Sequence, residues 1–303
     1  MAYYTAIATD MPSALTEIVS ICQIEGWSWD SGTSHITKLS PKGSTISCRL
    51  ESVNSNRHIR VWPNDPATAT QAPLPSYFGP LTMHSNHAVT WPVVLHVFVF
   101  DYEVYVWARH TVNNYIWMAF GQSQIGGIPG TGNWGAAIAS YAHYAVTNQP
   151  NLGFSTVPSS SSQGGLFWLD TNAQDRHNSY MHHGFTESGD SWSPYFGARR
   201  PAPYWLGDSF YSSFGFFTGT PVLFPLRWGI ERGSGYASLC FEAENLRILR
   251  SRVLDPESII TYGDDDWMIL PWLRLNRSTP GGGPGHSGDT FAAIRYQAEE
   301  SSS

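Results

Sequence analysis

The sequence predicts an α+β protein that is predominantly β, with an N-terminal helix plus antiparallel sheet followed by a turn-rich β region. Three observations carry this. Gly (28) and Pro (20) are plentiful and punctuate the chain with turns. Between them recur short runs rich in Val, Ile and aromatics, the pattern of strands. Near the start, Leu15, Ile18, Val19 and Cys22 fall at i, i+3, i+4 and i+7, the spacing of one helical face. The 303 residues divide on this reading into an α+β domain with an antiparallel sheet (1–120), an uncharged bridging helix with a Ser/Gly-rich loop (121–165) and a β-rich, turn-dense domain (166–303).

Asp10 is placed to cap the helix, with Pro12 in its first turn and Gly26 ending it. Strands are expected at 27–29, 36–39, 45–50 and 59–62. Pro63, Pro66, Pro73, Pro75 and Pro80 make 63–80 a loop or extended arm, because proline has no N–H to give a ladder. A hairpin follows, 93–100 and 104–109 around Asp101-Tyr102-Glu103. In its second strand Val104, Val106 and Ala108 share one face, and Tyr105, Trp107 and Arg109 the other. A third strand spans 113–120. From His110 to Leu169 there is no Asp, Glu, Lys or Arg, yet nine aromatics occur. Within this stretch Asn133 is expected to cap a helix with Trp134, Ala137, Ile138, Tyr141 and Ala145 on one stripe. Its other side is Ser, His, Tyr and Ala, which suits burial inside the chain and burial against another subunit equally. After the serine run 159–162, strands are expected at 222–228, 236–241, 246–250, 259–262, 267–270 and 291–296. Gly263-Asp264-Asp265-Asp266 makes a hairpin turn.

Composition excludes several classes of protein. Charged residues are 14% and aromatics 14%, the reverse of a disordered chain. The net charge of −7 argues against sequence-specific nucleic-acid binding, which draws on Lys and Arg. The longest apolar run, 93–100, is far short of the ~20 residues of a membrane helix, and the first residues lack a basic and apolar leader. No membrane association is expected, and synthesis in the cytoplasm is. Cys22, Cys48 and Cys240 are odd in number and widely spaced, so buried free thiols are expected rather than a disulfide framework. Only Lys38 and Lys42 are lysines, whereas fifteen residues are Arg. Arg and aromatics are enriched at protein interfaces and Lys is depleted, so this bias suits a subunit of an assembly.

Chemistry-bearing motifs are sparse. Asp175, His177, His182 and His183 are metal-ligand types within nine residues, but their spacing matches no helix-borne site and Arg176 sits among them. A hydrogen-bonding loop is the preferred reading, and no cofactor is expected. Asp264, Asp265 and Asp266 read as a turn rather than a calcium loop, since no alternating ligands follow. Gly189-Asp190-Ser191 and Gly207-Asp208-Ser209 lie in Pro-rich aromatic loops without the strand that precedes an esterase nucleophile. No G-x-S-x-G elbow or phosphate loop occurs. Aromatics beside carboxylates also describe glycan-binding and glycan-cleaving proteins. Asp101, Glu103 and Asp170 are the candidates there, but no spacing pairs two of them.

Residues 115–121, Tyr-Ile-Trp-Met-Ala-Phe-Gly, followed by 127–134, Gly-Ile-Pro-Gly-Thr-Gly-Asn-Trp, resemble a pattern in virion structural proteins of tailed bacteriophages. So do Trp267-Met268-Ile269-Leu270-Pro271-Trp272, Gly285-His286-Ser287-Gly288 and Ala293-Ile294-Arg295-Tyr296. The chain departs from that pattern at Phe291-Ala292-Ala293, where the aromatic partner differs. The resemblance is scattered over 90–296. It implies a non-enzymatic component of the tail or of the head-to-tail neck or collar, a homo-oligomeric ring that meets other tail or neck proteins. The alternative is a phage tail-associated host-recognition protein that binds, or binds and cleaves, glycans. Tyr115, Trp117, Trp134, Tyr141, Trp267 and Trp272 are the expected subunit contacts, with Arg199, Arg200 and Arg274 tethering neighbours. On that reading, replacing Trp117 or Trp134 by Ala blocks assembly and leaves the isolated chain folded.

Overall fold

The chain begins with a strand, β1 (Ala2–Ala8), and a helix, α1 (Met11–Ile24). Asp10 caps the helix by accepting from Ser13 N at 2.8 Å, and Ser13 Oγ accepts in return from Asp10 N at 3.0 Å. This reciprocal cap satisfies two of the N–H groups that a helix start leaves open. Gly26, at φ +80°, turns the chain out of the helix. Met11, Ala14, Ile18, Val19, Ile21 and Cys22 form the buried face. In a computed structural model the described residues are 1–53, 58–66, 70–71, 76–79, 89–124, 132–138, 180–182, 192–194, 221–231, 237–272, 274–278 and 289–297. These are mostly β, with α1 and antiparallel sheets.

A small sheet follows the helix: β2 (Ser28–Asp30), β3 (His35–Leu39), β4 (Thr45–Val53) and β5 (His58–Asp65) pair in sequence order. The expected loop at 63–80 is corrected here. β5 runs through Pro63 to Asp65, and β6 (Thr70–Gln71) and β7 (Ser76–Phe78) both pair with it. Pro63 is in register with Cys48 of β4, and on the other side of β5 it falls between the part that meets β7 and the part that meets β6.

The central sheet has the order β1, β8 (Val93–Val99), β9 (Glu103–Thr111), β10 (Asn114–Gln122), β11 (Asn133–Ile138), β12 (Tyr180–His182), β13 (Trp192–Pro194), all antiparallel. Its core strands are apolar on both faces because both are covered. Val104, Val106 and Ala108 face α1 and the small sheet, in one cluster with Ile18, Cys22, Ile36 and Val61. Tyr105 and Trp107 face the other way, in a cluster that includes Leu226, Leu246, Met268, Leu270 and Ile294.

The helix expected from Asn133 is also corrected: 133–138 is β11, paired with β10 from Gln122↔Asn133 to Trp117↔Ile138. Gly135 packs closely there, since a Cβ would stand 3.0 Å from Pro63 Cδ on the neighbouring sheet. Tyr141 and Ala145 lie outside the described residues.

The last sheet has the order β14 (Phe224–Glu231), β15 (Ala237–Arg250), β18 (Thr290–Tyr296), β17 (Asp265–Pro271), β16 (Ile259–Tyr262). The two strands expected at 236–241 and 246–250 are one, β15, interrupted by a bulge. Its register with β14 slips between Pro225↔Arg247 and Arg227↔Glu242, which leaves 243–246 as extra length.

Candidate functional site

Five of the six aromatic residues expected at a subunit contact are among the described residues, and they are inside the chain. Tyr115, Trp117, Trp134, Trp267 and Trp272 are all buried. Trp107, Trp117 and Trp272 form a nest with ring centroids 5.3–5.5 Å apart; Trp107 and Trp117 stack at 18°, and Trp272 meets Trp117 edge-on at 73°. Trp107 Nε1 donates to Pro271 O at 2.9 Å. Several Arg forks among the described residues are also engaged within the chain. Arg247 lies 5.2 Å over the Trp267 ring, and Arg250 donates from Nε and Nη2 to the buried Asp289. Arg277 holds Asp255 and Arg295 holds Asp265. Arg274 is exposed and bridges by its backbone to Asn114. Tyr141, Asp170, Asp175, His177, His183, Arg199 and Arg200 lie outside the described residues. His182 is in β12. Among the described residues no three His, Cys, Asp or Glu gather to hold a metal ion. Cys22 and Cys48 are free and buried, and burial raises both thiols, which makes them poor nucleophiles.

Two polar centres remain; the sequence pointed to Tyr115 in the first, in another role, and to Asp101 and Glu103 in the second. The first is Glu257, held at φ +64°, a left-handed conformation that favours glycine. Arg109 Nη1 donates to both of its carboxylate oxygens at 2.7 Å, and the Tyr115 hydroxyl donates to Oε1 at 2.7 Å. His96 Nε2 lies 3.3 Å from Oε1, and its Nδ1 is 2.9 Å from the Tyr3 hydroxyl. Burial acts to raise the Glu257 carboxyl, but His96, Tyr115 and Arg109 together outweigh it and hold it at about 2. The cluster ties β1, β8, β9 and β10 to the loop before β16. Burial raises the hydroxyls of Tyr3 and Tyr115, so neither is prepared to act as a nucleophile.

The second centre surrounds Glu103 at the hairpin end. Its buried carboxylate accepts from Glu244 N at 2.9 Å, Asn245 N at 3.1 Å and Asn245 Nδ2 at 2.9 Å. These backbone groups belong to the bulge of β15, whose N–H donors Glu103 satisfies. Burial pushes the Glu103 carboxyl up to about 7, against the pull of those donors. Outside this anchor opens a cleft of about 630 Å³. Five segments meet there: Met1 ahead of β1, the hairpin loop with Phe100, Asp101 and Tyr102, the bulge with Glu244 and Asn245, the turn 264–266, and the end of β18 with Arg295, Tyr296 and Gln297. Asp101 lines the cleft, whereas Glu103, the other described carboxylate of the glycan reading, is spent behind it. No protein-family model matches the chain, and no curated protein matches it.

Proposed function

We propose that the protein is a structural subunit of a tailed-phage virion, a neck, collar or tail-terminating ring component that joins head to tail and acts without turnover. The observation that carries this reading is the set of large aliphatic side chains left in water. Val112 is 82% exposed, Val253 73%, Leu39 69%, Ile24 69% and Ile7 68%. β16 ends its sheet with Ile259 and Tyr262 exposed. Apolar side chains and an open strand edge are what a neighbouring copy covers, and an uncovered edge strand invites pairing. With Trp117, Trp134, Trp267 and Trp272 buried, we assign the contact surface to these exposed positions instead. The scattered resemblance to virion proteins and the preference for Arg over Lys support the same reading. Such rings close by rotational symmetry, with two complementary patches on each subunit.

Native mass of the purified chain, with negative-stain images of the same peak, tests this. A closed ring of many copies is expected, and Val112→Asp with Leu39→Asp converts it to monomers of unchanged melting temperature. A wild-type monomer that also fails to join virion particles in an assembly extract refutes it.

A further inference from the structure

We infer that the cleft beside the hairpin end is a binding site for a neutral saccharide, an activity beyond the assembly role proposed above and independent of it. Its volume of about 630 Å³ falls within the range of small-ligand pockets. Its lining is mixed rather than only acidic. Tyr102 and Tyr296 bring half-buried aromatic side chains to the lining, the second packed edge-on to Tyr3 at 5.1 Å, and aromatic rings suit the C–H faces of a pyranose. Arg295, Gln297 and the amide of Asn245 supply polar groups of both senses. The carboxylates of Asp101, Glu244 and Asp264 accept hydrogen bonds only, and charged acceptors make the stronger bonds to hydroxyl donors.

Two further facts narrow the ligand. Acidic groups outnumber the Arg295 guanidinium, and Arg295 is itself paired with Asp265, so phosphate, sulfate, uronic and sialic acids are repelled. The carboxylates come from three segments: Asp101 from the hairpin loop, Glu244 from the bulge, and Asp264, Asp265 and Asp266 together from one turn. Among the described residues they do not converge on one point as a metal site requires. Acceptors set beside aromatic side chains fit a ligand that carries many hydroxyls and no charge. The site is also set before a ligand arrives. Glu103 fixes the backbone of Glu244 and Asn245 and the Asn245 amide, so little order is lost on binding.

The test applies the purified full-length protein to a printed array of neutral, sialylated and sulfated oligosaccharides, with poly-lysine as a control spot, followed by calorimetry with the best neutral glycan. Retention on neutral glycans alone is expected. Glu244→Gln combined with Asp264→Asn is expected to weaken that binding about tenfold, the cost of losing charged hydrogen bonds. Tyr102→Ala should weaken it as well. Both variants should keep the wild-type melting temperature and native mass. Binding only to sialylated or sulfated glycans, binding only to poly-lysine, a blank array, or neutral binding unchanged in all the variants each overturns the inference. A blank array leaves ring formation by native mass untouched, so the two proposals fail separately.

Discussion

Trp117→Ala separates a core role from a contact role for the aromatic residues. Trp117 is fully buried, stacked on Trp107 at 5.5 Å and edge-on to Trp272 at 5.3 Å. Truncation removes the indole from both partners and leaves a cavity between two sheets. Large aromatic-to-alanine changes in a core cost about 3–5 kcal/mol, and the loss of two ring contacts places this one at the upper end. Against a total of about 5–15 kcal/mol, that is a large share of stability. The assay is urea unfolding followed by far-ultraviolet circular dichroism, with Trp117→Phe as the control that keeps an aromatic ring in the nest. The alanine variant should show a markedly lower midpoint and the phenylalanine variant an intermediate one. A wild-type midpoint for Trp117→Ala, together with loss of ring formation, refutes the placement of this side chain in the core.

The two carboxylates with opposite shifts predict a stability maximum near pH 4.5. Glu257 is lowered from 4.5 to about 2, so its contribution is complete above pH 4.5 and is lost as pH falls through 2. Glu103 is raised from 4.5 to about 7, so its contribution is present below 4.5 and is lost as pH rises through 7. Melting temperature against pH should lose its acid limb in Glu257→Gln and its neutral limb in Glu103→Gln; identical profiles for wild type and both variants contradict this. Gly121→Ala places a Cβ 2.3 Å from Tyr102 O, a backbone atom, and should lower stability by about 1–3 kcal/mol or more in the same melt. Asn133 Nδ2 donates to Thr45 O at 3.2 Å and Asn64 O at 3.0 Å, fastening β11 to the small sheet. Asn133→Ala should cost about 1–3 kcal/mol in the urea midpoint, because two carbonyls lose a donor.

Features decided within a few residues were legible in the sequence. Asp10, Pro12 and the spacing from Leu15 to Cys22 define α1 locally, and the alternation of 104–109 already assigns its side chains to the two faces found. Features decided across the chain were not. Trp134, Ala137 and Ile138 satisfy a helical stripe, yet pairing with β10 makes them a strand. Glu-Ala-Glu-Asn at 242–245 reads as a break between strands. It is a bulge held by Glu103, 141 residues from Glu244 in sequence. Nothing local marks Glu257, whose partners come from three other strands. The abundance of Trp and Arg is equally compatible with a core and with an interface, because both bury aromatic rings and stack guanidinium groups on them. Only the placement of each ring tells the two apart.

The order of the last sheet has a consequence for how the protein is made. β18 lies between β15 and β17, although it follows both in the chain. Until 290–296 leave the ribosome, the Ile248 and Leu249 side of one strand and the Ile269 and Leu270 side of the other have no central partner. The emerging polypeptide therefore carries apolar strands with open edges late in synthesis, the form most prone to aggregation. A stop codon placed just before 290 would remove the middle of the sheet rather than its fringe, so such a product should collect in inclusion bodies or be degraded.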